Sequence, residues 1–296
     1  MRLQDLKENS YKWIFAFFAF SSLVFLLGIT IVLFKEGLPI FKEVRFFNLV
    51  FGRSWYPTYE PPNFGMLPLI LASLWVTLGA MFICVPLGVG SALYLHEIAG
   101  AGQRAVLKPI IEILAGVPSI VYGFFGMIIV APFIQTVFRV PVGQTAFTGS
   151  LMLGIMATPT VCSLTEDALN FVPKSFRDAS YALGANRWQT LTSVVVPAAG
   201  SGISTAIILG ISRGIGETMV VLMVCGGAAV IPTSFFQPVR PMTATIAAEM
   251  GEAVMGSLHY SSLFAIGLIL FIFTLIFNIV AEIISRRYRL KLGLGR

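Results

Sequence analysis

Apolar residues run almost unbroken through six stretches of the chain, at approximately 13–34, 66–95, 109–133, 148–164, 198–230 and 260–285. A helix needs about 17–25 such residues to cross a hydrocarbon core of roughly 30 Å. The pattern therefore predicts an all-α integral membrane protein with six transmembrane helices. The longest polar segments, 35–65 and 165–197, are too short to add a soluble domain. The chain divides into an N-terminal anchor helix with an outer loop (1–65) and a core transmembrane domain (66–296) carrying a cytoplasmic loop at 165–197.

Composition agrees: 56% of residues are hydrophobic and only 11% charged, a large departure from soluble proteins. The first run, Trp13 to Phe34, holds no charge. Its leader MRLQDLKENSYK is mixed in sign and no small-x-small cleavage site follows, so an uncleaved anchor is expected. Basic residues orient the spans, because Lys and Arg stay on the cytoplasmic side. With both termini cytoplasmic, the inner segments hold Arg2, Lys7, Lys12, Arg104, Lys108, Lys174, Arg177, Arg187, Arg286, Arg287, Arg289, Lys291 and Arg296. The outer segments hold only Lys35, Lys42, Arg45, Arg53, Arg139 and Arg240, and Arg213 is left over. This asymmetry accounts for the net charge of +6 without nucleic acid as a partner. The tail SRRYRLKLGLGR reads as a stop-transfer anchor facing anionic membrane lipid. Cys84, Cys162 and Cys225 have no short pair spacing, which argues against a disulfide framework or a metal site.

Two features point to a transporter rather than a simple anchor. Pro86, Pro118, Pro132 and Pro159 lie in or beside the apolar runs, and such breaks are tolerated where neighbouring helices or a watery cavity satisfy the freed backbone. Gly202, Ala206, Gly210, Gly214 and Thr218 recur every fourth residue in the fifth run, giving one helix edge a close approach to another. The outer loop, rich in aromatics and proline, reads equally as an interfacial cap and as a linker.

The same fifth run contains SRGIGETM, with Arg213 and Glu217 inside apolar sequence. If the helix enters the membrane near Ser201, Arg213 lies about 18 Å along it, near the midplane. An arginine there costs at least about 2.5–3.5 kcal/mol. In a continuous helix Glu217 sits beside it on one face. Two uses are open: a self-neutralised pair gluing helices together, or an Arg213 that offers bidentate donors to an oxyanion while Glu217 holds it. Ser119, Tyr122, Thr158 and Thr160 place hydroxyls at membrane depth; they either line the route or bond backbone carbonyls at kinks. Glu166 and Asp167 are expected to face water or a cytoplasmic partner.

Residues 165–197 read as two short helices, with Pro173 at the first turn, Gly184 as a stop and Asn186/Gln189 as a capping box. Within them Asp178-Ala179-Ser180, Gly184 and Val194-x-Val196-Pro197 resemble the EAA loop of ABC importer permeases, with Asp for Glu, Ser for the second Ala and Val at both aliphatic positions. The resemblance implies that Asp178, Ala179, Ser180, Gly184, Ala185, Asn186 and Arg187 dock an ATPase, and that the fold is that of type I importer permeases. No GxxxxGK[ST] phosphate loop occurs in the chain, so the ATPase is expected as a separate subunit and this chain is not itself an enzyme. The segments 64–97, 116–126, 212–219 and 257–278 look like the phosphate-specific transport (Pst) permeases, the C-type more than the A-type. That resemblance implies a bacterial inner-membrane importer of inorganic phosphate working by alternating access. It also implies a homologous A-type permease, two copies of a cytoplasmic ATPase that hold ATP and Mg, and an extracytoplasmic phosphate-binding protein, with no cofactor in this chain. The residues alone leave other oxyanions such as sulfate or molybdate open, as well as a stand-alone ion-coupled carrier.

Overall fold

The computed structural model describes residues 3–291; Arg2 and Arg296 of the basic termini lie outside them. Helix α1 spans Leu3–Gly37, followed by the short helices α2 (Ile40–Glu43) and α3 (Phe46–Phe51) and a small antiparallel hairpin of β1 (Trp55–Tyr56) and β2 (Asn63–Phe64). Then come α4 (Leu67–Leu93), α5 (Ala101–Gly116), α6 (Ser119–Phe125), α7 (Ala131–Phe138) and α8 (Ala146–Asn170). The second half contains α9 (Lys174–Ala182), α10 (Arg187–Thr190), α11 (Val196–Ala198), α12 (Gly200–Gly216), α13 (Met219–Val224), α14 (Met242–Glu249) and α15 (Leu258–Lys291). Three π-helical turns, Tyr94–Ile98, Gly126–Val130 and Leu191–Val195, join successive helices.

Five helical stretches are long and apolar enough to cross a membrane, and a sixth is formed if the bent pair Arg187–Ala198 and Gly200–Gly216, which meet at 67°, counts as one. The expected number of spans is therefore met, but two have other bounds. The third does not begin at residue 109. Gly116, Val117 and Pro118 break the chain: Val117 is extended, as a residue before proline is driven to be, and the span restarts as Ser119–Phe138. The preceding α5 is a separate amphipathic helix bearing Arg104 and Lys108. The fifth run does not continue to residue 230 either. α12 stops at Gly216, and after the short α13 the chain leaves helical geometry until α14. In that excursion Gly226 and Gly227 take positive φ, and a parallel bridge joins Gly226 to Val239. A Cβ on Gly226 would meet the Gln144 carbonyl oxygen at 2.5 Å.

The centre is α4 against α8, with α12 across both. Small residues let the backbones close: Ser150 donates to the Val76 carbonyl at 3.1 Å, and a Cβ on Gly154 would reach the Ala80 carbonyl oxygen at 3.0 Å. The fourfold spacing in the fifth run has its expected effect through Gly202 against Ala168, Gly210 against Val161 and Gly214 against Thr77 and Met81. Thr218 lies beyond the end of the helix. α13 and the excursion plug this centre, burying Val220, Val224, Cys225 and Val239. The outer loop is a folded cap: Ile40, Leu49, Trp55, Phe64 and Met66 form one core with Met242, Leu263 and Ile266. Helix α1 packs on α15 and leaves the rest of its apolar surface uncovered.

Close packing makes a clear contrast within α4. A valine at Gly88 would meet Val161 at 2.9 Å and the Thr158 carbonyl oxygen at 3.2 Å, whereas Gly90 has nothing within 4 Å. Gly88→Val should lower thermal stability of the purified protein by about 1–3 kcal/mol. Gly90→Ala should leave it unchanged or raise it by up to about 1 kcal/mol; equal melting of the two variants would contradict the close approach.

Candidate functional site

Arg213 lies in the last turn of α12, exposed on the surface of the chain. Glu217 is not beside it on a continuous helix. The break after Gly216 leaves Glu217 extended (φ −69°, ψ 134°), and its Oε1 accepts from the amides of Met219 and Val220 at 3.1 and 3.4 Å. Among the described residues Arg213 forms no ion pair. The expected i to i+4 pair is thus replaced by two separate arrangements. The guanidinium sits at the carbonyl-rich end of α12, where a cation gains about 0.3–1 kcal/mol from the helix dipole, and the carboxylate caps the amide-rich start of α13. Thr243 of α14 donates to the Glu217 carbonyl at 2.7 Å, fixing the break against the returning chain.

The hydroxyls divide. Tyr122, buried on α6, donates to the Leu114 carbonyl at 3.0 Å and so braces the α5–α6 break, while its ring lies within electrostatic reach of Arg213. Thr158 donates back to the Gly154 carbonyl at 2.8 Å, one turn before Pro159. Ser119 at the start of α6 and Thr160 on α8 are half-buried.

At the other end of α8 the knuckle takes the form read from sequence. Gly184 has φ +83°, its amide donates to Tyr181 at 2.9 Å, and the Ala185 amide donates to Ser180 at 3.2 Å. This is a Schellman closure, which a residue with a Cβ would strain. Asn186 and Gln189 cap each other's backbone at 2.8 and 2.9 Å. Ser180 faces inward to Thr190 at 2.9 Å, joining α9 to α10, so within the motif it holds the knuckle's shape. Asp178, Ala179 and Arg187 are exposed. So are two large apolar side chains, Leu183 (89%) and Trp188 (66%).

Three ionic clusters were not legible as such. Glu166 is neither solvated nor on the surface: it is 3% exposed and pairs with Arg104 at 2.6 Å and Lys108 at 3.4 Å from α5, as a buried carboxylate requires. Asp167 beside it is exposed. Glu97, also buried, pairs with Arg177 of α9 at 2.5 Å. At the cap end Glu249 Oε1 accepts from Arg240 at 2.6 Å, and Oε2 accepts from Trp55 at 3.1 Å and lies 2.9 Å from His259 Nε2. A single sequence signal, a carboxylate flanking an apolar run, was available for Glu97 and Glu166 but did not name their partners.

A broken span with an exposed arginine near its break, small-residue packing and a protruding knuckle define a transport permease subunit. The model of the family described as "binding-protein-dependent transport system inner membrane component" matches residues 84–290, and the chain belongs to that family of inner-membrane permeases. It is 38% identical to the probable ABC transporter permease protein YqgH of Bacillus subtilis, over 88% of this chain and 85% of that protein. It is 35% identical to the phosphate transport system permease protein PstC of Mesorhizobium japonicum, over 92% of this chain and 88% of that one. Among solved structures, a bacterial alginate ABC transporter crystallised with an alginate-pentasaccharide-bound periplasmic protein shares the fold, with TM-score 0.67 and 14% identity over 97% of this chain and 98% of that chain. The fold is that of type I ABC importer permeases.

Capping by Glu217 has a measurable consequence. Glu217→Ala should speed hydrogen exchange at the Met219 and Val220 amides and cost about 0.5–2 kcal/mol, while Glu217→Gln keeps an acceptor and most of the protection. Equal protection in Ala and wild type would show that the carboxylate does not cap α13.

Proposed function

We propose that this chain is the permease subunit of an ATP-driven importer of inorganic phosphate and forms the translocation pathway together with a homologous A-type permease. Two copies of a cytoplasmic ATPase, holding ATP and Mg, seat the knuckle, and an extracytoplasmic phosphate-binding protein delivers the anion at the cap end. Both termini are then cytoplasmic. This chain hydrolyses nothing itself.

The observation that carries the reading is Arg213: an exposed guanidinium within a membrane-spanning helix, not neutralised by the carboxylate four residues on. A permanent cation in that position is expensive unless it serves a pathway, and a planar donor fork suits a tetrahedral oxyanion. Phosphate is favoured over other oxyanions by the PstC relatives from Mesorhizobium japonicum and Haemophilus influenzae, the latter 31% identical over 97% of this chain. In this reading Arg213 meets the anion directly, Ser119 and Thr160 supply neutral donors along the route, and Tyr122 and Thr158 shape it through the breaks that they brace. Glu217 acts by holding the break open at the start of α13. ATP-driven closure of the ATPases moves the knuckle and opens the pathway outward; release reopens it inward.

In cells lacking their own C-type subunit, complementation with this chain should restore uptake of labelled phosphate and not of sulfate. Arg213→Gln at equal membrane expression should lower that uptake by roughly 30-fold or more, with Arg213→Lys between the two. Uptake unchanged by Arg213→Gln would remove the arginine from the pathway, and sulfate uptake instead of phosphate would reassign the anion. At the knuckle, Leu183→Glu combined with Trp188→Glu should reduce co-purification of the ATPase by about tenfold while the permease stays in the membrane.

A further inference from the structure

Arg177 stands on the helix that would seat in the ATPase, yet its side chain turns away from that surface. Nη1 lies 2.5 Å from Glu97 Oε1 and Nη2 lies 2.8 Å from His96 Nε2, with Glu97 7% and Arg177 20% exposed. Glu97 and His96 belong to the π-helical turn Tyr94–Ile98 that ends α4. An extra residue per turn alters which way the side chains of the last turn point, and such turns concentrate at working sites. Leu95 of this turn and Leu191 and Val195 of the π-helical turn after α10 also belong to one buried apolar cluster with Leu169 and Val172. The knuckle is therefore tied to the end of α4 by a charge pair and by a shared apolar cluster.

Further along α4, Met81 lies 3.9 Å from the position of a Cβ on Gly210, and Met81 and Thr77 both lie 3.5 Å from one on Gly214. These glycines bracket Arg213 on α12. Helix α4 and its π-helical turn thus run from the knuckle's ion pair, past Pro86, to the glycine edge beside the candidate anion residue.

We propose that Arg177 and Glu97, with His96 as the second acceptor for the guanidinium, form a strut that conveys knuckle movement to α4 and so to α12 at Arg213. Both are positioning residues and neither meets the anion. The proposal rests on the reading of the chain as an ATP-driven importer subunit. Removing either charge breaks the guanidinium–carboxylate contact, so the knuckle can still dock but its displacement is no longer handed on.

The test uses the complete complex in proteoliposomes, with both permeases, the ATPase and the binding protein, and measures labelled phosphate taken up per ATP hydrolysed. Glu97→Gln and Arg177→Gln should lower that ratio by about tenfold with ATPase co-purification intact, within the range of ordinary coupling energies. Arg177→Lys, or the exchange of Glu97→Arg with Arg177→Glu, should recover at least a large part of it. The strut is overturned by an unchanged ratio in the two glutamine variants, by a ratio that falls only as the ATPase is lost, or by failure of both the lysine and the exchanged variants to recover. A wild-type complex that takes up no phosphate overturns the substrate reading alone. The strut is then decided by binding-protein stimulation of ATP hydrolysis, which the glutamine variants should lose and the lysine variant keep.

Discussion

A membrane interior cannot leave backbone polar groups unpaired, and the organisation of this chain depends on how it meets that demand at the end of α12. Stopping a helix there frees carbonyls on one side and amides on the other. Carbonyls at the break accept from the Glu217 amide and the Thr218 and Thr243 hydroxyls, the Glu217 carboxylate accepts from the amides of Met219 and Val220, and Arg213 stands in the last turn of α12. Two charges that would neutralise each other on a continuous helix are instead each matched to a helix pole. Glu217 is thereby occupied, and Arg213 keeps its hydrogen-bonding face.

Everything that follows the break serves to hold it. α14 returns with Thr243 donating to the Glu217 carbonyl, and the Met242 amide donates to Ser73 Oγ of α4 at 2.8 Å. The buried valines of α13 and of the excursion pack into one core with α4 and α8. Glycine at 226 is required because the backbone there has positive φ and passes against the Gln144 carbonyl. Packing, not intrinsic helix propensity, therefore sets where the fifth span ends.

The spans themselves were legible because uninterrupted apolar runs of adequate length have few other solutions. The knuckle was legible for a different reason: Gly184 and the Asn186/Gln189 box are local signals whose geometry is settled within a few residues. The interruptions were harder. Pro118 lay within the apolar run from 109, and α5 is apolar enough to be read as part of it; the break at Gly116, Val117 and Pro118 separates the two, and Arg104 and Lys108 tie α5 to Glu166 of α8. Glu217 looked like a pairing partner because i to i+4 spacing presumes a helix that the tertiary contacts interrupt. The ionic clusters at Glu97, Glu166 and Glu249 join residues far apart in sequence, and no local pattern carries such information.

Glu249 gathers the hairpin through Trp55, the excursion through Arg240 and the start of α15 through His259. Arg240 also donates to the Gly227 carbonyl at 2.6 Å, so the same node reaches back to the turn that leaves α13. One carboxylate thus welds three distant parts of the chain into a single block at the cap end. The contacts of this node act as a rivet through the hairpin, the excursion and the start of α15, and none of them extends to the 67° bend where α12 meets α11 or to the knuckle.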